Sequence, residues 1–169
     1  MYRRSAQAQI LAMKQKYPQF TFRKYGNGLV TWTGCLQPLM QTYAVLVAWH
    51  LKMSIPYVSL LEPKLSPRNK GSFAEIPHLL FDRDNPENSG LCLFDPEGSE
   101  WTHANLIADT TIPWACQWLV YYELWQLDGV WRGHSIGPES VAQMTEFNAE
   151  QENDKCLQTE ERTLLKAAE

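Results

Sequence analysis

The sequence predicts an α+β domain: a helix, an antiparallel meander of four strands, a long irregular loop and a second, aromatic helix. Three observations carry that prediction. A helix-favouring segment near the N-terminus is stopped by proline, apolar residues then alternate along successive short runs between residues 20 and 61, and large aromatics recur at helical spacing from residue 114 to residue 125.

Between Ser5 and Lys16 the apolar residues Ala8, Ile10, Leu11 and Met13 sit among Gln, Ala and Lys, which favour helix, and Pro18 ends the run. Phe20, Phe22 and Lys24 alternate with Thr21 and Arg23 up to the turn signal Gly26-Asn27-Gly28. Val30, Trp32 and Gly34 continue the alternation beyond it, so a hairpin is predicted. From Gln41 to Leu51 a β-rich run puts Tyr43, Val45, Val47 and Trp49 on one face and Ala44, Leu46 and Ala48 on the other, a third strand buried on at least one side. Pro56 opens a fourth strand, Tyr57 to Leu61, closed by the proline and charge punctuation of Pro63, Lys64, Pro67, Arg68 and Lys70.

Residues 71–102 hold little periodic signal and many turn formers, among them Gly71, Pro77, Asn85, Pro86, Asn88, Gly90, Pro96 and Gly98. A loop of this length inside a compact domain is usually functional. The main helix after it is marked by Pro113, Trp114, Trp118, Tyr121, Tyr122 and Trp125 and stopped at Asp128-Gly129. Aromatics at that spacing are expected to cover the sheet rather than cage a ligand. From Glu139 to Glu169 the chain turns charged and Gln-rich with sparse apolar anchors, which predicts a C-terminal helix packed on the domain or frayed from it. The organisation is thus one domain over residues 1–138 and a helical extension over 139–169.

Composition narrows the function classes. With 169 residues, 44% hydrophobic and 20% charged, the chain can bury one substantial core. Fifteen basic residues against nineteen acidic ones give a net charge of -4 without the basic stripe of a nucleic-acid binder. The start Tyr2-Arg3-Arg4-Ser5 lacks the apolar core of a signal peptide, and no window is long and apolar enough to span a membrane. A cytoplasmic protein without nucleic-acid or membrane partners is expected, with its four cysteines, Cys35, Cys92, Cys116 and Cys156, mostly free thiols. None forms a Cys-x-x-Cys pair, which disfavours a zinc ribbon, and neither metal nor organic cofactor is implied.

Cys92 is the candidate nucleophile. Its segment, Leu91-Cys92-Leu93-Phe94, lies in the turn-rich loop, where a thiol can be exposed yet held by apolar flanks. A thiolate is both a good nucleophile and a good leaving group, so an acyl chain can pass through it twice. A thiol with the ordinary pKa of about 8.5 suffices when the incoming acyl group is already activated as a thioester. If buried, the same residue would be a small hydrophobe, the reading given to Cys35 and Cys116, while Cys156 in the tail reads as incidental. Among the histidines, His78 is either a loop support or a neutral turn residue, with no third group evident to orient it as a base. His103 stands near the main helix beside Trp101, and His134 sits in a Gly-flanked loop where solvation is the default. The cluster Asp82, Arg83, Asp84 and Glu87 is either a surface that steers an amine substrate or, the default for a charged loop, simply solvated.

The order helix, four-strand meander, cysteine-bearing loop and helix resembles the ubiquitin-conjugating enzymes, whose catalytic cysteine sits in a similar Ile/Leu-Cys-Leu segment after the fourth strand. The resemblance spans residues 5–130. Pro56-Tyr57-Val58 looks like the family's Pro-rich strand entry, Ile76-Pro77-His78 stands where it has His-Pro-Asn, and Trp101-Thr102-His103-Ala104 is similar to its Trp-Ser-Pro-Ala. It implies the ubiquitin-conjugating (UBC-like) fold, a thioester on Cys92, and a loop-supporting role for His78. Two departures stand out: Leu79 and Leu80 follow His78, so the Asn that supports the oxyanion is absent there, and the stretch from His78 to Cys92 is longer than in the eukaryotic enzymes. Asn85 or Asn88 is then either a compensating donor or a turn residue.

These departures resemble the divergent prokaryotic branch found in CBASS antiphage operons. That likeness implies a cyclic-oligonucleotide synthase as partner, its C-terminal tail carried as the thioester and passed to an amine, or else a ubiquitin-like modifier in that role. A separate activating enzyme would dock on the first helix, where Arg3, Arg4, Lys14 and Lys16 form either a docking face or an ordinary surface. Two other readings fit the same residues: a cysteine hydrolase using Cys92 with His78 or His103, and a non-catalytic scaffold binding the partner in its groove.

Overall fold

A computed structural model describes residues 3–52, 55–94 and 100–133. The expected C-terminal helix, His134 and Cys156 lie outside these residues. Within them the chain is a mixed α+β fold of two helices and one antiparallel sheet, with a single large core shared between them.

Helix α1 runs Ala6–Lys16 and starts where the sequence supplies a cap: Ser5 Oγ accepts the Ala8 N–H at 3.1 Å. Replacing that hydroxyl leaves an orphan donor, so Ser5→Ala is expected to cost about 1 kcal/mol, read as a lower urea midpoint at unchanged slope. The inner face buries Gln9, Ile10 and Met13. Gln9 is fully buried yet satisfied, its Nε2 donating to the Asn105 carbonyl at 2.9 Å and its Oε1 accepting from the Ile107 N–H at 2.9 Å. The Arg4 backbone N–H and Nε donate to the carbonyls of His103 and Ala104, and Lys16 pairs with Asp109 at 2.8 Å. Arg4 just before α1 and Lys16 at its end therefore grip the segment that feeds the second helix.

The meander has the expected order: β1 Thr21–Lys24, β2 Leu29–Leu36, β3 Tyr43–His50 and β4 Tyr57–Glu62. The β1–β2 turn uses Gly28 at φ +91°, and the Tyr25 N–H reaches the Leu29 carbonyl at 2.8 Å. Val30 and Trp32 on β2 and Tyr43, Val45, Val47 and Trp49 on β3 are buried, as their alternation predicts, with Trp32 opposite Val47 and Val45 opposite Leu60. Strand β1 departs from its neighbours. It is the sheet edge and all of its residues are exposed, including Phe22 opposite the buried Trp32.

The long loop is not wholly irregular. Two-residue strands β5 (Leu79–Leu80) and β6 (Gly90–Leu91) pair with each other, and β6 joins β4 through Ser59 and Gly90, extending the sheet to the order β1-β2-β3-β4-β6-β5. Strands this short carry no readable period.

Helix α2 spans Thr111–Asp128 and ends on Gly129, whose φ of +80° lets its N–H close on the Trp125 carbonyl at 2.8 Å. Trp114, Trp118, Tyr122 and Trp125 are buried in the core, the covering role expected of them, while Tyr121 is half-buried. The helix also collects its surroundings through polar bonds. The Tyr122 hydroxyl donates to the Ser66 carbonyl at 2.9 Å and accepts the Ser66 N–H at 3.0 Å. The buried Glu123 carboxylate accepts the Met40 N–H at 2.9 Å, fixing the β2–β3 connection. Burial, with Glu123 beside it, pushes the Tyr43 hydroxyl well above its usual range. No helix among the described residues is long and apolar enough to cross a membrane.

Beyond α2, hydrogen bonds from Arg132 and from the Val130 N–H hold the Asp128 carboxyl down at about 2. A depressed carboxyl contributes stability that is present above its ordinary value and lost as pH falls through the lowered one. The stability difference between wild type and Asp128→Asn, measured by denaturant unfolding, is expected to be constant near neutrality and to shrink between pH 3.8 and about 2.

Candidate active site

Cys92 follows β6 directly and is half-buried, between the buried side chains of Leu91, Leu93 and Phe94. The loop is anchored downstream by the Phe94 ring, 5.4 Å from the Trp114 ring on α2. The Cys92 Sγ–H points to the Phe94 carbonyl at 3.7 Å, a weak sulfur bond. The result is a partly accessible thiol on a backbone with buried supports on either side.

The main support is His78. Because Leu79 pairs with Leu91, the antiparallel register brings residue 78 opposite residue 92, and the Cys92 N–H donates to the His78 carbonyl at 3.0 Å. The same carbonyl accepts the Trp118 Nε1–H at 2.8 Å. His78 holds this pose at φ +51°, a left-handed conformation that few side chains adopt and that His tolerates better than most. Its exposed ring stacks on Trp131, with centroids 5.6 Å apart and planes at 22°. Trp131 in turn meets Trp118 and Tyr121 edge-on, at 5.4 Å and 5.9 Å. Gly133 lets this cluster close, since a Cβ there would meet the Trp131 Nε1 at 2.7 Å and the Tyr121 ring at 2.8 Å.

The other candidates are engaged locally. Asn88 ends a short 3-10 turn, Pro86–Asn88, where its Oδ1 accepts from Lys64 Nζ at 2.5 Å and its carbonyl accepts the Tyr57 hydroxyl at 2.9 Å. The Asn85 N–H, and that of Asp84, donate to Asp82 Oδ1, and the Asp82 N–H donates to Ser89 Oγ at 2.9 Å. Asp82 thus folds its own loop instead of serving only as a solvated charge. Burial, with Asp82 nearby, raises the Tyr57 hydroxyl above its ordinary value. His103 lies edge-on to Trp101 at 5.6 Å, and its carbonyl accepts the Arg4 N–H at 2.8 Å.

The structure therefore joins Cys92 to His78 through the backbone and adds two residues that the helical spacing had disguised as packing or passed over, Trp118 and Trp131. For Trp118 the available signal is that a buried indole N–H usually finds an acceptor, whereas Trp131 carries no such signal, its own Nε1 meeting no acceptor among the described residues. Of the other cysteines, Cys116 is half-buried on α2 and outside any disulfide, as expected. Cys35 is buried, packed against Ala44 and Leu61. Among the described residues no group of His, Cys, Asp and Glu is placed to hold a metal ion.

No curated protein and no solved structure matches the chain significantly. Residues 9–138, which take in the whole sheet, Cys92 and α2, match the E2-CBASS family, described as Type II CBASS E2 protein, and the chain belongs to that family as an E2-like protein of CBASS.

Proposed function

We propose that the chain has the UBC-like fold and is a conjugating enzyme that carries the C-terminal acyl group of a partner protein as a thioester on Cys92 and transfers it to an amine. The observation that carries this reading is the half-buried thiol just past β6, outside any disulfide and backed by the His78 carbonyl, in a chain of the E2-CBASS family. In the first step the Cys92 thiolate attacks an activated carbonyl; a carbon–sulfur bond forms to Sγ and the donor thiolate leaves. In the second an amine attacks the same carbonyl, the bond to Sγ breaks, the amine proton is released to solvent, and Cys92 returns as thiolate. Neither step needs a metal or organic cofactor.

The partner in this reading is a cyclic-oligonucleotide synthase presenting its C-terminal tail, with a ubiquitin-like modifier as the other source of such a tail and a separate activating enzyme as donor. The setting is cytoplasmic. Residues 1–138 form the conjugating unit and 139–169 its extension. His78 supports the loop through its carbonyl. Asn88 anchors it through Lys64 and Tyr57, and His103 ties the loop before α2 to the start of α1.

The test is co-expression with the products of neighbouring genes, followed by non-reducing gels and intact-mass analysis. Wild type is expected to carry an adduct that thiol removes and whose mass names the cargo, and Cys92→Ser a thiol-resistant oxyester. If wild type, Cys92→Ala and Cys92→Ser retain the same partner equally and none is covalently loaded, the scaffold reading replaces this one.

A further inference from the structure

We infer that Trp118 is a positioning residue for Cys92, acting through the carbonyl of His78. The inference rests on the reading of Cys92 as the acyl-carrying thiol and adds a residue on a different element to its machinery. One carbonyl oxygen, with two lone pairs, takes two N–H donors: the Cys92 amide at 3.0 Å and the Trp118 indole at 2.8 Å. The first donor belongs to the segment bearing the thiol. The second belongs to a fully buried side chain in the middle of α2, stacked on Tyr122 at 5.3 Å and met edge-on by Trp131. A helix-borne indole locked on two sides is a fixed reference point, whereas the loop around His78 is built from short strands and turns.

The other tryptophans sharpen the point. Among the described residues, the indole N–H groups of Trp32, Trp49, Trp101 and Trp131 meet no protein acceptor. The bond made by Trp118 is thus directed to one carbonyl, that of a residue held at φ +51°. A left-handed non-glycine residue persists only where its surroundings over-determine it. Trp118 and the Trp131 stack supply that determination from one side and the β5–β6 pairing from the other. Without the indole donor, His78 is free to relax towards ordinary backbone angles. Its carbonyl then swings, and the Cys92 amide and thiol move with it.

The experiment compares Trp118→Phe with Trp49→Phe in the full chain. Both sites are fully buried and lose the same ring volume, but only the first loses a hydrogen bond. Two readouts follow Cys92 alone: its alkylation rate by iodoacetamide across pH, resolved from Cys116 by peptide mapping, and exchange of its backbone amide. Trp118→Phe is expected to speed Cys92 amide exchange by about five-fold, the effect of one hydrogen bond, and to displace the alkylation profile. Trp49→Phe is expected to match wild type in both.

Identical Cys92 behaviour in the two variants overturns the inference. Should Trp118→Phe not fold, benzothienylalanine at position 118, an indole isostere without the N–H, is read in the same way. Alkylation needs only the thiol, so an absent partner adduct in wild type would sink the carrier reading without touching this result.

Discussion

Cys92→Ala is expected to reduce amine transfer at least about 10³-fold while the protein stays folded. Removing a covalent nucleophile removes the pathway itself, and only uncatalysed or binding-assisted background remains. The substitution deletes one sulfur from a half-buried position whose neighbours Leu91, Leu93 and Phe94 keep the loop anchored, so the unfolding midpoint should move little. The measurement is single-turnover transfer to a lysine acceptor beside a thermal melt of each protein. Transfer that survives in a folded Cys92→Ala protein would place the chemistry on another residue.

Gly90→Ala should be the most damaging conservative change near the site, at about 2–4 kcal/mol. A Cβ at residue 90 would collide with the Tyr57 ring, and that ring cannot swing away without giving up its hydroxyl bond to the Asn88 carbonyl. Overpacking costs about 1–3 kcal/mol and the lost bond about 1 more. For a chain of this size that lowers the melting temperature by very roughly 4–16 °C. Because Gly90 and Leu91 are the whole of β6, the damage falls on the segment that leads into Cys92. Pairing Gly90→Ala with Tyr57→Ala checks the cause: if the ring is the obstacle, the double variant costs clearly less than the sum of the two single ones. Strict additivity would mean the glycine serves another purpose.

Much of the scaffold is legible in the sequence because it is periodic. Helix α1 shows its Ser5 start and Pro18 stop, β2 and β3 alternate along most of their eight residues, and α2 announces itself through Trp114, Trp118, Tyr122 and Trp125. Cys92 is legible for a different reason, since apolar flanks inside a turn-rich stretch mark an anchored and accessible point.

What the sequence conceals lies in short or backbone-borne contacts. Leu79 and Leu80 look like a departure from a familiar signature, yet they are strand β5, paired with Leu91 and Gly90, and this pairing brings His78 opposite Cys92. Two-residue strands leave no pattern to find. The role of His78 is equally hidden, because its carbonyl makes the hydrogen bonds while its imidazole only stacks on Trp131. Trp118 sits at a helical position that packing alone would explain, so its bond to that carbonyl cannot be read from spacing. The intramolecular bonds of Arg4, just before α1, and of Lys16, at its end, to Ala104 and Asp109 are hidden in the same way.

In the proposed reaction an acyl group rides on Cys92 Sγ. That loading is tested most directly by tandem mass spectrometry of the loaded wild-type protein, digested under acidic, thiol-free conditions that preserve thioesters. A branched peptide joining the C-terminal carbonyl of the partner to Cys92 is expected. An acyl bond found on Cys116 or on a lysine of this chain, or loaded preparations whose Cys92 peptide is always unmodified, would contradict it.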